Sequence, residues 1–203
     1  MMAYDALIIG GGVAGFSCAQ ILGSAQAKPF VTDKKIAIIA HQKASMLQDA
    51  VFYNAYGVAS GKLGSELLEE SKTSLAEHYP QIEQIEHEKV VSVVSQGNRF
   101  VIQTNKNTYE STIVVIAVNS SHSFQIEGLM EYVMPHGKSL PQKNRIQLKN
   151  EDQRVATNLY VAGTLAGHRS QLSIAAGSGA AVATDILTLW NNGIETHSHD
   201  SIR

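Results

Sequence analysis

The sequence predicts an α/β fold in which a central parallel sheet is flanked by helices and carries a small antiparallel β-meander. Two apolar runs, residues 6–9 (ALII) and 112–118 (TIVVIAV), are typical of strands that are buried on both faces of such a sheet. A glycine-rich turn follows the first run, and a long stretch of small and apolar residues after Ser170 predicts a helix. We therefore expect helices on both faces of the sheet.

The glycine-rich turn has the spacing G-x-G-x-x-G, formed by Gly10, Gly12 and Gly15. In a strand-turn-helix context the first glycine permits the tight turn, the second lets the backbone approach a pyrophosphate, and the third lets helix and strand pack closely. The amides at the start of the helix, including those of Val13 and Ala14, would then face the diphosphate. This motif predicts a Rossmann-like dinucleotide site; a glycine-rich turn without a ligand is the alternative.

The segments that follow show strand, helix and meander patterns in turn. Residues 35–40 (KIAIIA) predict a second buried strand, and residues 41–61 predict a loop with short helical pieces. An amphipathic helix is expected over 65–79. The charged run 81–89 (QIEQIEHEK) is expected to be solvated, with Ile82 and Ile85 anchoring it. The meander, at about 89–111, is predicted from three short β segments, at 90–95, 99–104 and 108–111.

The C-terminal part of the chain is less regular before its long helix. Residues 119–143 contain turn-forming residues, and short strands are expected at 145–148 and 158–162. The long helix closes a single domain of residues 1–193. The polar tail, residues 194–203, is expected to fray.

Composition excludes several classes of protein. The 203 residues are 44% hydrophobic and 17% charged, which are globular values, and the net charge of −2 gives no case for binding nucleic acid or an anionic membrane. No apolar run approaches the roughly 20 residues that span a bilayer, and no signal peptide is expected, so a cytoplasmic location is the default. The only cysteine, Cys18, is expected to be a buried structural thiol; a reactive thiolate near a helix N-terminus is the alternative.

Four segments together resemble one known family. In chain order they are DALIIGGGVAG, TIVVIAVNS, NLYVAGT and HRSQLSIAAGSGAAVA. Their order resembles the FAD-binding domain of the thioredoxin-reductase-like pyridine nucleotide–disulfide oxidoreductases, and the similarity extends over nearly the whole chain. The resemblance implies a Rossmann-like FAD-binding domain with the meander as a crossover.

The chain also departs from that family. Only residues 120–144 stand where the family inserts a second domain for NAD(P)H, and the family's C-x-x-C disulfide is absent. Ala40, followed by His41, replaces the acidic residue that the resemblance places at the adenosine ribose. Thr164 replaces the aspartate expected near the ribityl and phosphate region. Loss of a charge-assisted hydrogen bond costs about 1.5–3 kcal/mol, so affinity for FAD could fall greatly.

Three residues are candidates to bind the adenosine ribose in place of the missing acidic residue, namely His41, Gln42 and Lys43. A basic group there would also suit a 2′-phosphate, which keeps NAD(P) open as an alternative ligand. The expected cofactor-binding residues are Gly10, Gly12, Val13, Ala14, Gly15, Ala40, His41, Val91, Ala117, Val118, Asn119, Gly163, Thr164, Arg169, Gln171 and Leu172.

By resemblance, the pyrimidine edge of a flavin would lie near the start of the last helix, at Ser170, Gln171 and Leu172. The helix dipole and Arg169 would there stabilise the negative charge of the reduced ring; a surface arginine is the alternative. His136 and His168 are possible proton donors, although a loop histidine is more often merely solvated.

The resulting prediction is a minimal FAD-binding oxidoreductase whose electron donor and acceptor are open. A nicotinamide, if used, would arrive as a free molecule or on a partner protein, and a homodimer or another partner would cover the exposed flavin face. The alternatives are a non-catalytic descendant that acts through protein contacts, and an NAD(P)-binding domain. No metal site is expected, because residues 197–200 (HSHD) fit a polar tail better, and the basic stretch of Lys138, Lys143, Arg145 and Lys149 is expected to be a solvated face.

Overall fold

The computed structural model describes residues 2–41 and 47–199. The strands are β1 Met2–Ile9, β2 Ile36–Ala40, β3 Val51–Phe52, β4 Lys62–Leu63, β5 Ile82–Glu86, β6 Val90–Gln96, β7 Arg99–Thr104, β8 Thr108–Ile116, β9 Val133–Pro135, β10 Ile146–Leu148, β11 Arg154–Ala156 and β12 Leu159–Val161. The α-helices are α1 Val13–Ser24, α2 Gly64–His78 and α3 Leu172–Trp190. Short 3-10 helices lie at Met130–Tyr132, Pro141–Lys143 and Gly163–Ala166.

An eight-stranded sheet forms the centre of the domain. Along its main path the order is β11-β12-β8-β1-β2-β5, and all of these pairs are parallel except β11 with β12. The meander strands β6 and β7 are antiparallel and join the sheet through β8. The predicted α/β class, with a largely parallel sheet and a small meander, is confirmed.

The two faces of the sheet are covered by different kinds of structure. On β1, Ala6 and Ile8 face a core that contains buried residues of all three α-helices, whereas Leu7 and Ile9 face a second core. That second core is completed by the meander, the segment 124–129 and the β9–β10 hairpin. The three α-helices therefore share one face, and the expectation of helices on both faces is wrong because β-structure covers the other one.

Two predicted segments differ in the structure. The two segments predicted at 108–111 and 112–118 form one strand, β8. Its first part pairs antiparallel with β7, and its last part pairs in parallel with β12. Much of the run 81–89, which was expected to be solvated, is the strand β5, which pairs in parallel with β2. Ile82 and Ile85 are three residues apart, so they point to opposite faces of the sheet and enter different cores.

The polar tail is packed up to the last residues that the structure describes. Thr196 and Ser198 are buried, and the Ser24 hydroxyl donates a hydrogen bond of 3.0 Å to Ser198 Oγ. Thr196 Oγ1 accepts a hydrogen bond of 2.8 Å from Asn191 Nδ2. The expectation of a frayed tail is therefore wrong for residues 194–199.

The last helix is long and apolar, although the sequence was expected to contain no apolar run of membrane-spanning length. By length and composition alone α3 could cross a membrane. A core helix of a soluble protein passes the same test, and α3 packs closely on α1 with Val182, Ile186 and Leu187 fully buried. This packing accounts for the apolar residues on one side of α3, since 33% of its most apolar stretch is buried and Ile174 and Leu189 are exposed.

Cys18 lies on α1 and is completely buried. Burial raises the pKa of its thiol to about 12, because the apolar surroundings disfavour the thiolate. The prediction of a buried structural thiol is confirmed.

Candidate nucleotide-binding site

A cleft of about 1240 Å³ opens at the carboxyl ends of the parallel strands. Its walls include the turn after β1, His41 after β2, Ala117 after β8 and Gly163 after β12. Ligands of open α/β sheets bind at this edge, where neighbouring strands lead into different connections. The volume exceeds the 300–1,000 Å³ typical of small-ligand pockets, as an extended dinucleotide requires.

The three glycines of the motif are used in three different ways. Gly10 has φ +122°, and a β-carbon there would strike the carbonyl oxygen of Ala117. A β-carbon on Gly15 would strike the carbonyl oxygen of Gly10, so only glycine lets α1 pack this closely on the turn. Gly12 is different: a β-carbon there would meet nothing within 4 Å, and its φ is −91°. Neither strained backbone conformation nor packing requires glycine at position 12, and its backbone is left open to the cleft.

The start of α1 presents backbone donors at this open position. Gly12 is the N-cap residue, no side chain among the described residues caps the helix, and no acidic residue lies in its first turn. The first helical hydrogen bond runs from the Phe16 amide to the Gly12 carbonyl, at 2.9 Å. The helix dipole and the amides before Phe16 therefore suit an anionic group such as a diphosphate.

The turn after β12 closes the opposite wall and is held by a buried polar network. The Gly163 amide donates a hydrogen bond of 2.7 Å to Ser178 Oγ of α3, and the Ser178 hydroxyl donates to Gln153 Oε1. His168 Nε2 also donates to Gln153 Oε1, at 3.3 Å. Gln153 has φ +66°, which is uncommon for a residue with a side chain and brings its amide into this network. A β-carbon added to Gly163 would lie 3.2 Å from Ala14 Cβ, so the network holds this turn close to α1.

A buried carboxylate lies at the meander end of the cleft. Glu88 is 6% exposed and accepts hydrogen bonds from Thr104 Oγ1 at 2.6 Å, Asn107 Nδ2 at 2.6 Å and Tyr109 Oη at 3.0 Å. Burial alone would raise its pKa, but the three donors outweigh burial and hold the pKa below its usual value. Burial and the same carboxylate raise the pKa of Tyr109. Glu88 was assigned to a solvated run, and the structure corrects that expectation.

Three cations also line the cleft, namely Lys143, Arg145 and, beside Glu88, Lys89. Lys138, Lys143 and Lys149 are exposed and Arg145 is half-buried, which is consistent with the expected solvated face. Because Lys143 and Arg145 also line the cleft, that face extends into the candidate site.

The two loop histidines do not line the cleft. The Lys138 amide donates to His136 Nδ1 at 3.1 Å, so His136 carries its proton on Nε2 and donates to the His168 carbonyl at 3.2 Å. Burial, followed by the positive charge of Lys138, lowers the pKa of His168. Both rings serve as structural hydrogen-bonding groups, and their role as proton donors stays a prediction.

Most of the predicted cofactor-binding residues meet in this cleft. Those that line it are Gly10, Gly12, Val13, Ala14, His41, Val91, Ala117, Val118, Asn119, Gly163 and Thr164. Those outside its lining are Gly15, Ala40, Arg169, Gln171 and Leu172. Ala40 is buried in the helix-side core, while Arg169 and Gln171 are exposed on the approach to α3. Contacts of the second group with a cofactor stay predictions, and Gln42, Lys43 and Asp200 lie outside the described residues.

Sequence reasoning missed a second set of lining residues. They are Leu47, Glu88, Lys89, Val90, Asn105, Ser120, Ser121, His122, Ser123, Phe124, Gln125, Ile126, Lys143, Arg145 and Ala175, whereas Ser170, expected near the flavin, does line the cleft. One signal was present in the sequence, because residues 120–123 (SSHS) directly follow a predicted central strand, at the edge where sites form. Glu88 and Asn105 carried no such signal, since only the folded meander brings them to the cleft.

The sequence matches a family profile of the pyridine nucleotide-disulphide oxidoreductases over residues 4–164. The chain belongs to this family. The match includes the glycine motif, the meander and the Gly163 turn, so it covers the elements that build the cleft. No curated protein matches the sequence.

Solved structures of thioredoxin reductases have the same fold. The ferredoxin-flavin thioredoxin reductase of Clostridium acetobutylicum is 18% identical with a TM-score of 0.69, covering 94% of this chain and 99% of the other. The thioredoxin reductase of Gloeobacter violaceus is 12% identical with a TM-score of 0.73, covering 100% of both chains. That of T. acidophilum is 16% identical with a TM-score of 0.66, covering 96% and 100%. At these identities the similarity establishes the fold alone.

This family member is thus a flavin oxidoreductase domain of thioredoxin-reductase-like fold, with a single cysteine and no C-x-x-C pair. Between β8 and β9 the described segment 117–132 forms loops and one short 3-10 helix rather than a second nucleotide-binding domain. The family typically binds FAD. The residues present fit the diphosphate of that cofactor, because the open position at Gly12 and the α1 amides form a cradle that a side chain would fill.

Proposed function

We propose that this domain binds FAD along the cleft and exchanges electrons with an external redox partner. The observation that carries the proposal is the empty space around Gly12 beside an uncapped helix start. A glycine that neither backbone conformation nor packing demands is explained by a ligand that approaches the backbone closely.

The chain's own residues would act on the cofactor in different places. Amides at the start of α1 would bind the diphosphate, and the Thr164 hydroxyl would replace one of the hydrogen bonds of the missing aspartate. His41, which lines the cleft directly after β2, would lie beside the adenosine ribose. Bound FAD would supply hydride and single-electron chemistry, which the protein positions and tunes.

The charges around the cleft would suit a ligand that becomes negatively charged when it is reduced. Lys89, Lys143 and Arg145 line the cleft, while the acidic Glu88 is already hydrogen-bonded to three donors. A cationic environment stabilises negative charge that develops on reduction. Arg169, on the approach to α3, would add to this effect from outside the cleft lining.

The electron partner must come from outside the domain. The segment 117–145 does not form a second nucleotide-binding domain, and the sequence contains no C-x-x-C pair. Neither element is therefore there to carry electrons onward. The partner would therefore be a free nicotinamide dinucleotide, another small molecule or a redox protein.

The proposal is tested by preparing the protein, stripping it of any bound ligand and titrating it with FAD. We expect a yellow complex with a visible flavin absorption band and quenched flavin fluorescence. Titration with NAD⁺ and NADP⁺ as the matched comparison separates a flavin site from a nicotinamide site. A folded protein that takes up none of these would favour the non-catalytic alternative and overturn the proposal.

A further inference from the structure

Positive charge is concentrated in one short part of a chain whose net charge is negative. Residues 132–150 contain no Asp or Glu but carry Lys138, Lys143, Arg145 and Lys149, whereas the whole chain has a net charge of −2. We call these four residues the basic rim. The segment comprises the β9–β10 hairpin with its long loop, which is anchored by the pairing of Leu148 with Val133.

Two residues of the basic rim belong to the cleft lining, and the other two lie outside it. Lys143 and Arg145 line the cleft itself. Lys138 lies near the approach to α3, close enough that its charge contributes to the lowered pKa of His168. Lys149 stands exposed at the far end of β10. The positive potential is therefore directed at the place where a partner would reach the site.

Among the described residues, Lys34, Lys62 and Lys72 form ion pairs, whereas the lysines of the basic rim and others such as Lys28 and Lys35 do not. The basic rim differs from those others because its cations are clustered in one segment without an acidic residue between them. Lys34 pairs with Asp5 at 3.0 Å, and Lys72 lies between Glu69 and Glu86 at 3.6 and 3.5 Å. Within the part of the chain that the structure describes, Lys138, Lys143 and Lys149 form no ion pair. Their charge is thus left for something outside the chain.

Exposed apolar side chains lie among these charges. Leu140, in the loop between Lys138 and Lys143, is 64% exposed, and Met134 of β9 is 41% exposed. Apolar anchors surrounded by charges of one sign are typical of protein-docking surfaces, where charge steers the encounter and apolar contact holds the complex. A small nucleotide would use the cations but not these outward-facing side chains.

We infer that the basic rim is the docking surface for an acidic electron-carrier protein. The inference rests on the proposed function and names the class of partner that the site would use. The partner's acidic face would meet the four cations, and its apolar contacts would cover Leu140 and Met134.

The test measures binding of two acidic carriers, a plant-type [2Fe–2S] ferredoxin and a flavodoxin, to the FAD-treated protein. We expect the dissociation constant to rise by at least about tenfold between about 0.02 M and about 0.3 M salt, because surface charges are screened. The triple variant Lys138→Glu/Lys143→Glu/Lys149→Glu should bind at least about tenfold more weakly at low salt. The control Lys28→Glu/Lys35→Glu/Arg154→Glu changes the net charge equally at positions outside the cleft lining and should keep most of the affinity.

Equal losses in the two variants would overturn the inference, since they would reflect net charge alone. So would the absence of low-salt binding to both carriers, or a rim variant that loses NADPH binding while the carriers bind as before. FAD affinity, measured on all three proteins, separates the two proposals. If FAD fails to bind the unmodified protein, the proposed function fails; if FAD binds all three equally and only docking fails, only the assignment of the basic rim is wrong.

Discussion

Ser178 Oγ accepts a hydrogen bond of 2.7 Å from the amide of Gly163, which ties α3 to the turn after β12. The same hydroxyl donates to Gln153 Oε1, so one side chain satisfies two buried polar groups. The wall of the cleft opposite α1 therefore depends on a residue that does not itself line the cleft.

Replacing Ser178 by alanine should lower the free energy of unfolding by about 1–3 kcal/mol. The backbone N–H of Gly163 would lose its acceptor, and the side-chain oxygen Oε1 of Gln153 would lose one of its donors. Ser173→Ala, an exposed change on the same helix, should stay within about 0.5 kcal/mol of the unmodified protein. Urea unfolding measures both, and equal stability of the two variants would show that the network contributes nothing.

Glu88 makes the stability of the domain depend on pH. Its pKa is lower in the folded than in the unfolded state, so the unfolded chain binds the proton more readily and stability rises with pH. The contribution of Glu88 is present above its unfolded pKa and is lost as the pH falls through its folded pKa.

The variant Glu88→Gln should therefore be less stable than the unmodified protein at about pH 7, and the difference should shrink toward about pH 3. Glu77→Gln, at an exposed position of α2, is the control and should follow the unmodified protein throughout. A constant difference between the Glu88 variant and the unmodified protein across this range would contradict the assignment of the carboxylate.

Cys18 gives a direct readout of the core between α1 and the sheet. Because the thiol is buried and its pKa is about 12, a thiol reagent should not label the native protein and should label one site after unfolding. Rapid labelling under native conditions would show that α1 does not pack as described, and no other cysteine can confuse the result.

Arg169 tests the electrostatics on the approach to α3. If FAD binds as proposed, Arg169→Ala should lower its reduction potential, since removal of a cation disfavours the reduced anionic form. Arg154→Ala, on the edge strand β11, is the matched control and should leave the potential unchanged. Equal potentials for all three proteins would exclude Arg169 from this role.

The sequence revealed elements whose pattern follows a single physical rule. Residues 6–9 and 113–116 are apolar throughout because both faces of their strands are buried. Gly10 and Gly15 are required by turn geometry and close packing. β5 was missed because Ile82 and Ile85 have a spacing that does not alternate, and that spacing reflects one residue for each core.

The remainder of the site depends on tertiary contacts. Glu88 is read from the sequence as one charge in a polar run, and only the folded meander brings Thr104 and Tyr109 to it. Lys143 and Arg145 likewise reach the cleft through the pairing of β9 with β10, strands of three residues each. Short pairings of this kind leave little trace in local sequence.

The central claim is that backbone amides at the start of α1 bind the diphosphate of FAD, with Gly12 kept small for that ligand. The decisive measurement is the FAD dissociation constant of Gly12→Val beside that of Gly177→Val, since both glycines face open space. We predict that Gly12→Val folds with a loss of stability of no more than about 1 kcal/mol, the cost of a poorer N-cap, yet binds FAD at least about tenfold more weakly. Gly177→Val should bind normally. A folded Gly12→Val protein that binds FAD as tightly as the unmodified chain would contradict the account.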